Sequence, residues 1–128
     1  YPQSERASQA QDILFELQEK LAFKELMAAR LYFNLGTYMG NNLLSSVITS
    51  QNALKNYPYT KYREEFMFLI IRAKYELAIV SVEEKLQGRY RDVVDEYYTY
   101  LNEYPEGKYL KQVQKYFDYA NKRINDTY

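Results

Sequence analysis

The sequence predicts an all-α protein built from helical hairpins stacked into a solenoid, with about five helices. Three observations predict it. Only four Gly and three Pro occur in 128 residues, too few turn residues for an all-β chain that must reverse every ~8–12 residues. Apolar residues recur at three- and four-residue spacing along most of the chain. A punctuation mark also repeats: Tyr57-Pro58-Tyr59-Thr60-Lys61-Tyr62 and Tyr104-Pro105-Glu106-Gly107-Lys108-Tyr109 share the pattern Tyr-Pro-x-x-Lys-Tyr, and Tyr1-Pro2-Gln3-Ser4 begins the same way. Each Pro closes the helix before it, because it lacks an N–H donor and disfavours α geometry at the preceding residue.

The first helix carries Ala7, Ala10, Ile13, Leu14, Leu17 and Leu21 at helical spacing, continuing through Ala28, Ala29 and Tyr32. Ser4 is placed to cap its N-terminus. Gly36, Gly40, Asn41 and Asn42 then mark a turn. A second helix has Leu43, Val47, Ser50 and Leu54 on one face. After the Tyr57-Pro58 mark, Thr60 is placed as the next cap, and Glu64 and Glu65 fall in a first turn, where the helix dipole favours acids. The third helix carries Phe66, Leu69, Ile70, Ala73 and Leu77, and Gln87-Gly88 is read as its break. A fourth follows with Tyr90, Val93, Val94, Tyr97 and Leu101. A fifth shows Tyr109, Val113, Tyr116, Phe117, Ala120 and Ile124, with Asn125 to Tyr128 as a frayed end.

Helix, turn, helix, Tyr-Pro, twice over, is the plan of tetratricopeptide repeats, whose period is about 34 residues with a Pro at each repeat's end. Here Pro2 to Pro58 is 56 residues and Pro58 to Pro105 is 47. The added stretches keep helical periodicity, so they predict lengthened helices and not inserted loops. The expected organisation is a single helical-repeat domain over 1–128, with repeats at roughly 1–57 and 58–104 and a closing helix at 105–125.

Composition removes most chemistry. There is no Cys and no His, which excludes thiol nucleophiles, histidine bases, serine–histidine triads and nearly every zinc site. Oxygen-only metal binding would need an Asp-rich loop, and none exists. The acidic neighbours Glu64-Glu65, Glu83-Glu84 and Asp95-Glu96 point about 100° apart on a helix and do not face each other as a catalytic pair. They read as solvated surface. The expectation is a non-enzyme with no cofactor. Seventeen basic residues balance seventeen acidic ones, so the basic excess a nucleic-acid binder uses is missing. The longest wholly apolar run, Phe66 to Ile71, is far short of the ~20 residues that span a bilayer. The chain opens Tyr1-Pro2 without a methionine, as an excised segment would, and any targeting signal would lie upstream.

Binding is the function left. Sixteen tyrosines suit both repeat cores and protein interfaces, since Tyr buries a large area and keeps a polar tip. Tyr90, Tyr97, Tyr109 and Tyr116 lie on the apolar stripes and are assigned to the core. Tyr59, Tyr98, Tyr100 and Tyr119 fall off them; half are expected to pack against a neighbouring helix and the others, Tyr98 among them, to face a partner. Lys85, Arg89 and Arg91 form a short basic cluster near Gly88, which makes Arg89 a candidate contact for an acidic partner or a lipid headgroup.

The opening Tyr1-Pro2-x-Ser4, then Leu14-x-x-Leu17-x-x-x-Leu21-Ala22, then Ala29-x-x-Tyr32 leading to Gly36, resembles the BamD family, and so does the segment closing on Ala53-Leu54-Lys55-Asn56-Tyr57-Pro58. These are the tetratricopeptide lipoproteins of the outer-membrane β-barrel assembly machine, and the resemblance covers nearly the whole chain as a C-terminal half. It implies a place at the periplasmic face of the outer membrane, membrane association only through a lipid anchor on an N-terminal Cys outside this segment, and docking on a POTRA domain of a BamA-like barrel protein alongside other assembly subunits. Gly36 to Pro58 is longer than the family pattern, and Thr49 stands near where a basic contact residue would be expected. The contact surface is therefore assigned from the sequence itself, to the face opposite Leu43, Val47 and Leu54: Asn42, Ser45, Thr49 and Asn52, whose small polar side chains let a partner backbone approach. Two other readings share the fold: another periplasmic tetratricopeptide adaptor, and a helical glycan- or nutrient-binding lipoprotein. The absence of Trp, the best sugar-stacking residue, weighs against the second.

Overall fold

A computed structural model describes residues 2–125 and contains five helices: α1 (Pro2–Leu35), α2 (Asn42–Asn56), α3 (Arg63–Ile79), α4 (Glu83–Glu103) and α5 (Leu110–Asn125). Each packs on the next in the chain, and α1 and α5 also touch α3. The surplus over a standard repeat sits in helices, as the spacing predicts: α1 has 34 residues and α4 has 21.

The two Tyr-Pro marks fold into the same turn, bond for bond. In the first, Tyr57 N donates to Ala53 O (2.8 Å), Thr60 N to Tyr57 O (3.1 Å), Arg63 N to Thr60 O (3.2 Å) and Phe66 N to Tyr62 O (3.0 Å). In the second, Tyr104 N donates to Tyr100 O (2.7 Å), Gly107 N to Tyr104 O (3.1 Å), Leu110 N to Gly107 O (3.2 Å) and Val113 N to Tyr109 O (3.0 Å). A carboxylate from the first helix of the preceding hairpin ties each turn down. Glu19 Oε2 accepts from Lys61 N (3.4 Å) and Thr60 Oγ1 (3.2 Å). Glu64 Oε2 accepts from Lys108 N (2.7 Å) and the Tyr100 hydroxyl (2.8 Å). Glu19 and Glu64 therefore hold equivalent places, and α1 is the counterpart of α3.

Three sequence expectations about helix ends are corrected. Ser4 lies inside α1, which begins at Pro2; Tyr1 and residues 126–128 are outside the described residues. Thr60 stands two residues before the N-cap of α3, Tyr62, and its Oγ1 accepts from Tyr62 N (3.3 Å), so it pins the turn and not the helix. The α3–α4 break falls at Val80–Val82, not at Gln87-Gly88, and Gly88 sits within α4. The reason is local: Ser81 Oγ bonds the Leu77 carbonyl (2.5 Å), capping the end of α3, while Glu83 and Glu84 favour a new first turn. At Gly88 a Cβ would meet nothing within 4 Å, so there only the small propensity cost of a helical glycine applies. The α1–α2 connection does need its glycines. Gly36 (φ +58°) takes the left-handed conformation that ends a helix, and Gly40 (φ +131°) occupies a region closed to side chains. Asn41 Oδ1 then accepts from Leu44 N (3.1 Å) to start α2.

The six-residue apolar run makes α3 the centre of the fold, because a helix apolar all round must be covered all round. Phe66 and Leu69 pack with Leu26 and Ala29 of α1 and Ala53 of α2. Ile70 and Ala73 meet Val47. Met67, Phe68, Ile71 and Ala78 join Tyr90, Val93, Tyr97 and Tyr100 of α4 and Val113 and Ala120 of α5. Small residues let α1 and α2 come close, and Ser46 Oγ donates to Ala29 O (2.8 Å). Glu64 and Glu65 are not simply solvated: Glu65 pairs with Arg30 of α1, and Glu64 holds the second turn. Lys74–Glu96 (2.9 Å) and Arg63–Glu103 (2.8 Å) link α3 to α4.

The tyrosines divide as expected between core and surface. Tyr90 and Tyr97 are buried, and Tyr109 and Tyr116 pack against the core. Of the four off-stripe rings, Tyr100 is wholly buried and Tyr119 half-buried, whereas Tyr59 and Tyr98 are exposed. Burial raises the pKa of Tyr100 well above the ordinary tyrosine range, and its hydrogen bond to Glu64 adds to the rise. Burial likewise raises Tyr75, Tyr90, Tyr97, Tyr104, Tyr109 and Tyr116 from 10.0. Below pH 10 the phenols are protonated in both states and cost nothing. Above it the unfolded chain releases protons that the folded chain retains, so stability falls as pH rises. Denaturant midpoints should therefore be level from neutrality to pH 10 and drop beyond it, with the buried tyrosines' share of the tyrosinate absorbance appearing together with the loss of helix. Tyrosinate absorbance that reaches its full value before helix is lost would contradict this.

Candidate functional site

A repeat protein binds through what its helices leave uncovered, and on α2 the uncovered ridge is apolar. Leu43, Ser46, Val47, Ser50 and Ala53 face inward. Leu44 and Ile48, one turn apart, are 44% and 48% exposed. Beside them lies a small hollow of ≈ 200 Å³, floored by Leu44, Val47 and Leu77 and rimmed by Lys74, Arg89 and Asp92. An apolar floor inside a charged rim is the anatomy of a protein-docking hot spot.

Of the four polar residues assigned from sequence, Asn42, Ser45 and Thr49 lie on the other flank of α2, and Asn52 continues the row of Leu44 and Ile48 one turn on. Asn42, Ser45 and Thr49 are half-buried and Asn52 is exposed. Two of them serve the chain itself: Asn42 Nδ2 donates to Tyr38 O (2.6 Å) and Ser45 Oγ to Asn41 O (3.4 Å). Among the described residues, the Thr49 and Asn52 side chains make no hydrogen bond to a neighbour. Arg89 is turned inward, donating from Nη1 to the Leu77 carbonyl (3.4 Å) and to Ser81 Oγ, so it clamps the end of α3. It nonetheless borders the hollow next to Leu44. Tyr98 is 54% exposed and stands far along α4, edge-on to Tyr97 and Phe117, where it borders a separate hollow with Thr99, Leu101, Asn102 and Pro105. The structure thus brings Arg89 near α2 and leaves Tyr98 apart.

Leu44 and Ile48 were missed because the sequence shows apolar residues on both flanks of α2, and periodicity does not say which flank a neighbour will cover. The four-residue spacing of Leu44 and Ile48, off the Leu43–Val47–Leu54 row, was the available signal. Several tyrosines lining one hollow would favour the glycan reading. Instead Tyr75 packs on Tyr116 and Tyr119 with ring centroids 4.5 and 5.4 Å apart, and Tyr119 packs on Tyr90. Among the described residues no three of His, Cys, Asp and Glu gather to hold a metal ion, and no helix is long and apolar enough to cross a membrane.

Comparison with known protein families finds a match. The family model YfiO, described as an outer membrane lipoprotein, matches residues 1–89, which takes in α1 to α3 and the start of α4 with the whole apolar ridge. No curated protein matches the chain.

Proposed function

The chain belongs to the YfiO family of outer membrane lipoproteins, and from that premise we propose that it is a protein-binding scaffold subunit of the outer-membrane β-barrel assembly machinery. It works at the periplasmic face of the membrane, held there by a lipid anchor, and has no chemistry of its own. Its docking partner is the POTRA region of the barrel component, and α2 is the docking element.

The observation that carries this reading is the ridge of Leu44 and Ile48 over the hollow at Val47 and Leu77. Two large apolar side chains half in water on a 15-residue helix are stabilised by a partner's cover, at roughly 25 cal/mol per Å² of apolar surface removed from water. Thr49 and Asn52 would flank that contact and Arg89 would border it.

The test is capture of partners by the full-length protein from detergent-solubilised envelope, read by mass spectrometry. A POTRA-containing barrel protein should be recovered. Leu44→Asp with Ile48→Asp should weaken that capture by about 30-fold, as loss of a hot spot of ~2 kcal/mol requires, while the circular dichroism spectrum keeps its helical form, because the wholly inward residues Leu43, Val47 and Ala53 are untouched. Recovery of soluble or peptidoglycan-linked proteins alone would favour a general adaptor and sink the proposal. Undiminished capture by the double variant would remove α2 from it.

A further inference from the structure

The α1–α2 and α3–α4 connections stand side by side at one end of the bundle. Gly36 and Thr37 of the first and Val80 of the second border one hollow of ≈ 250 Å³, floored by Phe33 and Leu43. Both connections hold large apolar side chains out in water. Tyr38 and Met39 are 69% and 87% exposed, and Val80 and Val82 are 57% and 62% exposed. The Tyr-Pro turns, which join α2 to α3 and α4 to α5, lie at the opposite end.

Folding does not ask for a methionine at position 39. Its φ of +55° lies in the left-handed region, which Gly or Asn enters at less cost than a residue with a long side chain. Nor does Met39 pack on its own protein, since it is almost wholly exposed. A strained backbone position that displays an apolar side chain is explained by what that side chain meets outside the chain.

The charges say what kind of surface it meets. Glu76 and Arg72 line the hollow between the two connections. Glu83, Glu84 and Lys85 open α4 directly after Val82, and Arg89 bonds the Leu77 carbonyl and Ser81 beneath them. Acids and bases balance, so this end neither seeks nor avoids an anionic surface. Apolar tips around one phenol ring, without net charge, suit the headgroup layer of a zwitterionic bilayer, where Tyr rings settle and apolar side chains reach the acyl boundary. Among the described residues no helix can cross a membrane, so the contact is with its surface.

We propose that this end of the bundle rests in the headgroup layer of a zwitterionic phospholipid leaflet through Tyr38, Met39, Val80 and Val82. The inference rests on the lipid tether of the proposed function, in a family of outer membrane lipoproteins. A tether keeps the bilayer at high local concentration, so a shallow insertion of four side chains suffices. Nothing in it depends on what docks on α2.

The test uses the full-length lipidated protein in vesicles of phosphatidylethanolamine and phosphatidylcholine. An environment-sensitive fluorophore is placed on Met39→Cys, on Val82→Cys or on Tyr59→Cys, since residues 1–128 contain no cysteine. Tyr59, at the opposite end, is as exposed as Met39. Nitroxide-bearing lipids should quench the first two at least about fivefold more than the third. Raising salt from about 0.1 to about 0.5 M should leave that ratio unchanged. Tyr38→Ser should weaken quenching at Val82→Cys about threefold, which separates the protein's own insertion from that of the fluorophore.

Equal quenching at the two ends would overturn the proposal. So would a fluorophore at Met39→Cys that is shielded from aqueous iodide yet untouched by nitroxide lipids, which would mean that a protein covers this end. A need for anionic lipid would overturn the zwitterionic assignment. Flotation with the vesicles reads the tether separately. Equal quenching in floated protein leaves the tether standing, whereas failure to float removes tether and proposal together.

Discussion

Truncating Phe66 to alanine is expected to destabilise the protein by about 3–5 kcal/mol, the range for a fully buried aromatic, and to loosen one half of the molecule before the other. Phe66 is wholly buried and belongs to the cluster that α3 shares with Leu26 and Ala29 of α1 and Ala53 of α2. The other face of α3 builds the larger cluster with α4 and α5, in which Phe66 takes no part. A cavity at Phe66 therefore weakens the docking of the first hairpin while Met67, Phe68 and Ile71 keep their partners. Hydrogen exchange read along the chain should show amides of α2 losing protection far more than those of α4. Uniform loss through all five helices would mean that the two clusters open as a unit, and the argument from separate faces would fail.

The second large effect is expected at Gly107. A Cβ built there lies 2.2 Å from the Tyr100 hydroxyl oxygen and 2.7 Å from Glu64 Oε2, so a buried ring or the carboxylate holding the turn must move. Gly107→Ala should cost about 2–3 kcal/mol by overpacking and by disturbing the Tyr100–Glu64 bond. The reason glycine stands here is visible in the other turn. Thr60 occupies the place of Gly107 and Ala53 the place of Tyr100. In one turn the carboxylate of Glu19 receives a hydroxyl from Thr60 over a small Ala53; in the other Glu64 receives it from Tyr100 over a bare Gly107. The two solutions exclude each other sterically. In a double-mutant cycle with Tyr100→Phe, which removes the oxygen in closest conflict, the cost of Gly107→Ala should fall by about 1 kcal/mol or more. Additive costs would show that the hydroxyl is not the obstacle.

Much of the fold was legible in the sequence because its signals are local. The Tyr-Pro marks, the scarcity of glycine and the three-and-four spacing act within a few residues, and from them follow the helix count, the hairpin plan and the placing of the surplus in helices, though not that α4 and not α3 takes the surplus of the second hairpin. The misplaced break at Gly88 has a physical cause: helix propensity tolerates one exposed glycine, whereas the Ser81 cap and the acidic pair after Val82 together stop one helix and start another. The off-stripe tyrosines were also half readable. Their position removed them from their own helix's core row, but only the packing of α4 over Glu64 shows that Tyr100 is buried and Tyr98 is not.

The candidate site was less legible. Of Asn42, Ser45, Thr49 and Asn52, three are half-buried on one flank of α2, and Asn52 stands at the end of the exposed row that Leu44 and Ile48 begin. Whether an apolar residue on a helix is core or interface depends on which neighbour covers it, and that information is spread over other helices.

By itself the sequence determined the all-α class, the exclusion of thiol and histidine chemistry and the resemblance that the family match bears out, because each rests on residue identity or short-range backbone preference. Tertiary structure alone decided which apolar residues of α1 are buried and which carboxylate ties which turn. Those are facts of pairing between residues about 35 to 45 positions apart, and no window along the chain contains both partners.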